Sequence, residues 1–152
     1  MQTAGNLNVV IVGWNSTTVN VSSITDSNGN TYQLAIGPTT FPSNSLSQSI
    51  YFAKNIAKGS NTVMVNFSGP ATYPDIRIAE YSGLDPTSPL DVVKGATGTG
   101  TSSSTGPFTT TNASDVLVAA NIVTSSTTGA GANFTSRLIT VPDSDIIEDR
   151  AV

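Results

Sequence analysis

The chain has 152 residues, 6 Lys/Arg against 10 Asp/Glu for a net charge of −4, and neither cysteine nor histidine. It can therefore build no disulfide framework, no thiolate metal site and no Ser-His-Asp or Cys-His nucleophile, and without a basic cluster it lacks the electrostatic footprint of a nucleic-acid binder. Only 11% of residues are charged, so Ser, Thr, Asn and Gly between short apolar runs must carry solubility, the composition of an all-β secreted module.

Residues 7–14, LNVVIVGW, put Val10, Val12 and Trp14 on one parity and Val9 and Ile11 on the other, which predicts a central strand covered on both faces. Residues 17–25 read as a second strand. Asn28-Gly29 is a strong two-residue turn signal, and TYQLAIG beyond it returns with Tyr32, Leu34 and Ile36 in phase, so the two segments read as a β-hairpin. Pro38 and Pro42 punctuate a loop. Strand character resumes in SQSIYFAKNI (47–56), and NTVMVNF (61–67) alternates with Val63, Val65 and Phe67 on one side.

DIRIAEYSG (75–83) predicts another strand, LDPTSP a turn and LDVVKG a short strand. GATGTGTSSSTG (95–106) is crowded with Ser and Thr and precedes no amphipathic helix, so it reads as a flexible loop rather than a phosphate cradle. PFTTT (107–111), DVLVAANIVT (115–124), FTSRLITV (134–141) and DIIEDRAV (145–152) complete the series. AGNLNVVIVGWN and ASDVLVAANIVT echo each other, which suggests one central strand in each half.

No three-to-four apolar spacing persists, so almost no helix is expected, and no apolar run approaches the length that membrane insertion requires. The expectation is a single all-β module over 1–152: an antiparallel two-sheet β-sandwich, Ig-like or jelly-roll-like. Its expected core is Val10, Val12, Trp14, Val63, Val65, Phe67, Ile76, Ile78, Val116 and Val118.

AGNLNVVIVGW, SIYFAKNIAKGSNTVMVNFSG, IRIAEYSGLDPTSPLD and TTTNASDVLVAA resemble segments of β-sandwich modules that recur in large secreted and surface proteins of bacteria. The resemblance implies a non-catalytic structural or adhesive unit, extracellular or at the cell surface. Such modules commonly begin with a strand before the equivalent of AGNL and continue into one after EDRAV. The expectation that follows is a module lacking flanking edge strands, forming homo-oligomers or tandem arrays by β-strand addition.

Candidate sites are few. Asp26, Asn28 and Asn30 alternate like calcium ligands, but the sixth and twelfth positions from Asp26 are Thr31 and Gly37 where an EF-hand loop needs Gly and a bidentate acid, so a turn is the expected reading and no metal or cofactor is assigned. Tyr51, Arg77 and Tyr81 could form an outward patch that stacks on and hydrogen-bonds a polysaccharide, or the tyrosines could be buried with their hydroxyls paired. Glu80 and Glu148 could be imagined as a glycosidase pair, although a short chain offers little cleft. Asp85, Asp143 and Asp145 read as turn residues. Lys54 and Glu80 share the apparently inward parity of their strands, which leaves three readings: both snorkel to water, they form a buried ion pair, or a desolvated Lys54 attacks an Asn or Asp carbonyl to make an isopeptide link.

Overall fold

The structure is a computed structural model and describes residues 1–152. Nine strands form: β1 (Leu7–Trp14), β2 (Val21–Asp26), β3 (Gln33–Phe41), β4 (Leu46–Ala53), β5 (Val63–Phe67), β6 (Asp75–Tyr81), β7 (Val116–Ala120), β8 (Thr135–Ile139) and β9 (Ile146–Ala151). The only helical element is a 3-10 turn at Pro42–Asn44. All strand pairs are antiparallel, in three sheets ordered β3-β4-β1-β6, β2-β5 and β7-β9-β8, an all-β arrangement compatible with a β-sandwich.

β1 organises the molecule because it is apolar on both parities. Val10, Val12 and Trp14 pack against Val21, Ile24, Val63, Val65 and Phe67 of the β2-β5 ribbon. Leu7, Val9 and Ile11 face the other way, onto Phe52 and Ile147 with Val118 and Ala120 of the third sheet beside them. The four-stranded sheet thus lies between the two smaller ones, and the expectation of a strand covered on both faces holds for all eight residues of β1. Trp14 is core, as its parity predicts; its Nε1 donates to the Val19 carbonyl (2.8 Å) and its ring meets Phe67 edge-on at 5.7 Å.

The hairpin expected between residues 17 and 36 does not form. β2 pairs with β5 and β3 with β4, so the Asn28-Gly29 bend carries the chain from the ribbon into the central sheet as an arch. Asp26 governs the bend, its Oδ1 accepting from the N–H groups of Asn28 (3.1 Å) and Asn30 (2.9 Å), and Gly29 supplies the positive φ of 73° that the turn requires. β3 also runs through Pro38 to Phe41 where a loop was expected, with register breaks on either side of Ile36. Gly37 is obligatory there: at φ 128°, a Cβ would lie 2.7 Å from the Ser49 Cα. LDVVKG and PFTTT stay outside the sheets, and β9, not β7, is the central strand of the third sheet.

The inward side of β6 is the reverse of the expected one. Ile76 and Ile78 are 41% and 44% exposed, while Arg77 is fully buried and Asp75 is 8% exposed. In register Ile76 and Ile78 do sit beside Val12 and Val10, so their parity was read correctly. β6 is an edge strand, however, and the two-stranded ribbon does not reach far enough to cover it. Val116 is likewise 37% exposed, at the outer end of the edge strand β7.

Candidate functional site

Arg77 sits between the central sheet and the third sheet. Its Nε donates to Asp75 Oδ1 (2.8 Å), Nη1 to the carbonyls of Asn121 and Ile146 (both 2.7 Å) and Nη2 to Gln48 Oε1 (3.1 Å); Asp145 Oδ2 lies 3.9 Å away. Burial pulls the guanidinium's pKa down, and the charges of Asp75 and Asp145 oppose that fall. Burial pushes the Asp145 carboxyl up to about 6, against the Val123 N–H bond and the Arg77 charge that favour ionisation. Chemically this is a cross-link: one planar fork ties β6 to β4, to the segment after β7 and to β9.

A second tie lies nearby. The Tyr81 hydroxyl donates to Asp149 Oδ2 (2.8 Å), and Arg137 grips the same carboxylate through Nε (2.6 Å) and Nη2 (2.7 Å). Arg137, with Tyr81 assisting, holds Asp149 below the ordinary carboxylate range, while burial and the Asp149 charge raise Tyr81.

The patch expected from Tyr51, Arg77 and Tyr81 therefore does not assemble. Tyr51 is registered with Val10 and packs on the ribbon side, whereas Arg77 and Tyr81, registered with Ile11 and Leu7, face the third sheet. Lys54 and Glu80 do not meet either, as a buried pair or as a cross-link. Lys54 follows the last residue of β4 and its Nζ donates to the Thr87 carbonyl, while Glu80 is exposed and accepts from the Thr3 N–H (2.8 Å) and Asn6 Nδ2 (2.6 Å). Glu80 keeps the alternation of β6 and is exposed on the same uncovered face as Ile76 and Ile78, while Lys54 lies beyond the end of β4. Glu80 is on the ribbon side of the central sheet and Glu148, which accepts from the Gly131 N–H (2.7 Å), is on the third sheet, so the imagined acid pair is split between layers.

At Asp26 the turn reading accounts for every contact. Besides the two main-chain donors on Oδ1, its Oδ2 accepts from Asn30 Nδ2 (2.7 Å), Asn61 Nδ2 (2.7 Å) and the Tyr32 hydroxyl (2.8 Å). Burial alone would raise the carboxyl, but the bonds from Asn61, Asn30 and Tyr32 bring it down to about 2. Its stabilising effect is thus fully present above the ordinary value of 3.8 and is lost as pH falls through about 2. We expect Asp26→Ala to cost about 2 kcal/mol in chemical denaturation at neutral pH; an unchanged midpoint would show that the arch holds without it.

Asp85 is the turn residue it was read as, accepting from the N–H groups of Thr87 (2.7 Å) and Ser88 (3.0 Å). Asp145 is more than that, being 2% exposed and a counterion of Arg77. It, Gln48 and Asn121 escaped sequence reasoning because they converge on Arg77 from three distant segments. The one available signal was a charge in mid-strand flanked by isoleucines. No protein-family model, curated protein or solved structure matches the chain, so the site stands on its own geometry.

Proposed function

We propose that the chain is a non-catalytic structural or adhesive β-sandwich module of the extracellular or cell-surface kind, assembling with further copies by strand addition along β6. The observation that carries this is the condition of β6 as an edge. It runs in unbroken seven-residue register with β1, from Leu7–Tyr81 to Gly13–Asp75. No main-chain hydrogen bond outside that ladder involves residues 75–81.

Edges are normally blunted by bulges, proline, charge or shortness. β3 has Pro38 and two register breaks, β2 and β8 each have a break, and β5 and β7 are five residues long. β6 has no bulge or proline, its charges over Asp75–Ala79 (Asp75 and Arg77) are buried on the other face and paired with each other, and beside its free N–H and C=O groups stand the bare side chains of Ile76 and Ile78. A strand from a second copy would satisfy the main chain and cover both isoleucines. The buried Arg77 network fits the same role, since it stiffens the strand that would dock. The low charge and the resemblance to secreted modules support the location. No helix is long and apolar enough to cross a membrane.

Sedimentation velocity tests the reading. The wild-type chain should form oligomers as concentration rises, and the double substitution Ile76→Lys, Ile78→Lys should keep it monomeric at matched concentration with its β circular dichroism intact. A wild-type chain that stays monomeric at millimolar concentration contradicts the proposal.

A further inference from the structure

At the end of the sandwich away from the Asp26 arch, four segments converge on an open cleft of about 290 Å³: the residue after β1, the loop before β6, the segment after β7 and the β8–β9 turn. Tyr73, Ile122 and Pro142 give the cleft apolar surface, and Asn15, Asp143 and Asp145 give it polar groups. The walls are tied to one another. The Asn15 N–H donates to the Thr72 carbonyl (2.8 Å), the Val123 N–H to Asp145 Oδ1 (2.9 Å) and the Ile146 N–H to Asn121 Oδ1 (3.0 Å).

Two features point to a ligand. Asp145 is 2% exposed and lines the cleft, yet only its Oδ1 receives a hydrogen bond; the nearest cationic nitrogen to Oδ2 is that of Arg77, 3.9 Å away and beyond hydrogen-bond reach. Oδ2 is not among the fully buried unpartnered atoms, so this acceptor on the cleft wall is reachable by a donor in the cleft. Tyr73, by contrast, is 70% exposed although it is one of the larger apolar groups in the lining. A flat ring left open beside unfilled carboxylate and amide acceptors is complementary to a group with hydroxyl donors around its rim and C–H bonds on its face.

We propose that this cleft binds a neutral sugar residue, with ring hydroxyls donating to Asp145 Oδ2 and Asp143, the Asn15 side-chain amide completing the polar set, and Tyr73 packed on the C–H face. The charges select against the alternatives. The carboxylates of Asp143 and Asp145 repel uronates and sialic acids, and the only nearby cation, Arg77, is fully buried behind Asp145. A divalent metal needs six or more oxygens, whereas Arg77 already offsets Asp145, one of whose oxygens is occupied. This site is independent of assembly at β6 and of the Tyr51, Arg77 and Tyr81 set.

The test is a ¹H–¹⁵N NMR titration of the intact chain with methyl glucoside, methyl galactoside, methyl mannoside and N-acetylglucosamine, with glucuronate and calcium chloride as separate arms. At least one neutral sugar should shift the amides of Asn15, Tyr73, Ser125 and Asp143, and Tyr73→Ala, an exposed position that leaves the fold intact, should weaken that binding by about tenfold. The monomeric variant Ile76→Lys, Ile78→Lys should bind the sugar as the wild type does, which separates this site from the edge. No shift with any neutral sugar, shifts elsewhere on the surface, shifts with glucuronate or calcium alone, or affinity indifferent to Tyr73→Ala would each overturn the proposal.

Discussion

Replacing Arg77 with methionine is expected to lower the unfolding free energy by about 3–5 kcal/mol. The methionine fills similar volume, so the loss is not a cavity effect. It arises because Asp75 and Asp145, 8% and 2% exposed, lose the cation that offsets their burial, and because the carbonyls of Asn121 and Ile146 and the Gln48 amide oxygen lose their donor. Arg77→Lys keeps the charge but cannot reproduce bonds to four acceptors from one planar fork, so it should fall between wild type and Arg77→Met. Urea denaturation followed by tryptophan fluorescence reads the change, since Trp14 lies in the opposite core and reports global unfolding. A loss below about 1 kcal/mol for Arg77→Met would place the guanidinium in water and remove the cross-link from this account.

The second large effect is a dependence of stability on pH that runs opposite to ordinary acid denaturation. Burial raises the Asp145 carboxyl from 3.8 to about 6 in the folded chain, so between those values the folded state binds more protons than the unfolded state. Stability from this group is therefore fully present below 3.8 and is lost as pH rises through about 6. Arg77, Asp75 and Asp143 are the charged groups that act on it, the first favouring ionisation and the other two opposing it. The chain has no histidine to titrate in the same window. Acidification from pH 7 to 5 should raise stability by about 1–2 kcal/mol once solvent screening is allowed for. At lower pH the gain is offset, because in the unfolded chain Asp26 and Asp149 take up protons near the ordinary 3.8 while in the fold both are held lower. Melting curves across pH 4–8 for wild type and Asp145→Asn check this; the variant should be flat between 5 and 7, and a wild type whose melting temperature falls steadily on acidification would refute the assignment.

Much of this architecture was legible in the sequence, and the failures share a cause. Period two placed β1, β4, β5, β8 and β9 within a few residues and put Trp14 in the core, because those features depend on local alternation and on the β-branched run in LNVVIVGW. Alternation also says which residues share a face, and Ile76, Ile78, Val10 and Val12 do share one. It does not say how far the neighbouring layer extends. A two-stranded ribbon over a four-stranded sheet leaves the margin bare, so the isoleucines were expected inside and the arginine between them outside.

The Asn28-Gly29 bend was misread for a related reason. The turn chemistry is local, but whether the two arms pair with each other or with β5 and β4 is decided by distant strands. Glu80 shares the uncovered face of β6 with Ile76 and Ile78, and Lys54 lies beyond the end of β4, where parity no longer fixes depth. The cleft at Tyr73 and Asp145 was invisible because its walls come from four segments that only the folded chain brings together.

The measurement that bears most directly on the proposed role is hydrogen exchange of the β6 amides as a function of protein concentration. The account predicts that outward-facing amides between Asp75 and Tyr81 exchange quickly in dilute solution and become protected as concentration rises, while amides of β1 are protected throughout and the Ile76→Lys, Ile78→Lys variant shows no concentration dependence. Exchange along β6 that is identical in dilute and concentrated wild-type solutions would contradict assembly at this edge.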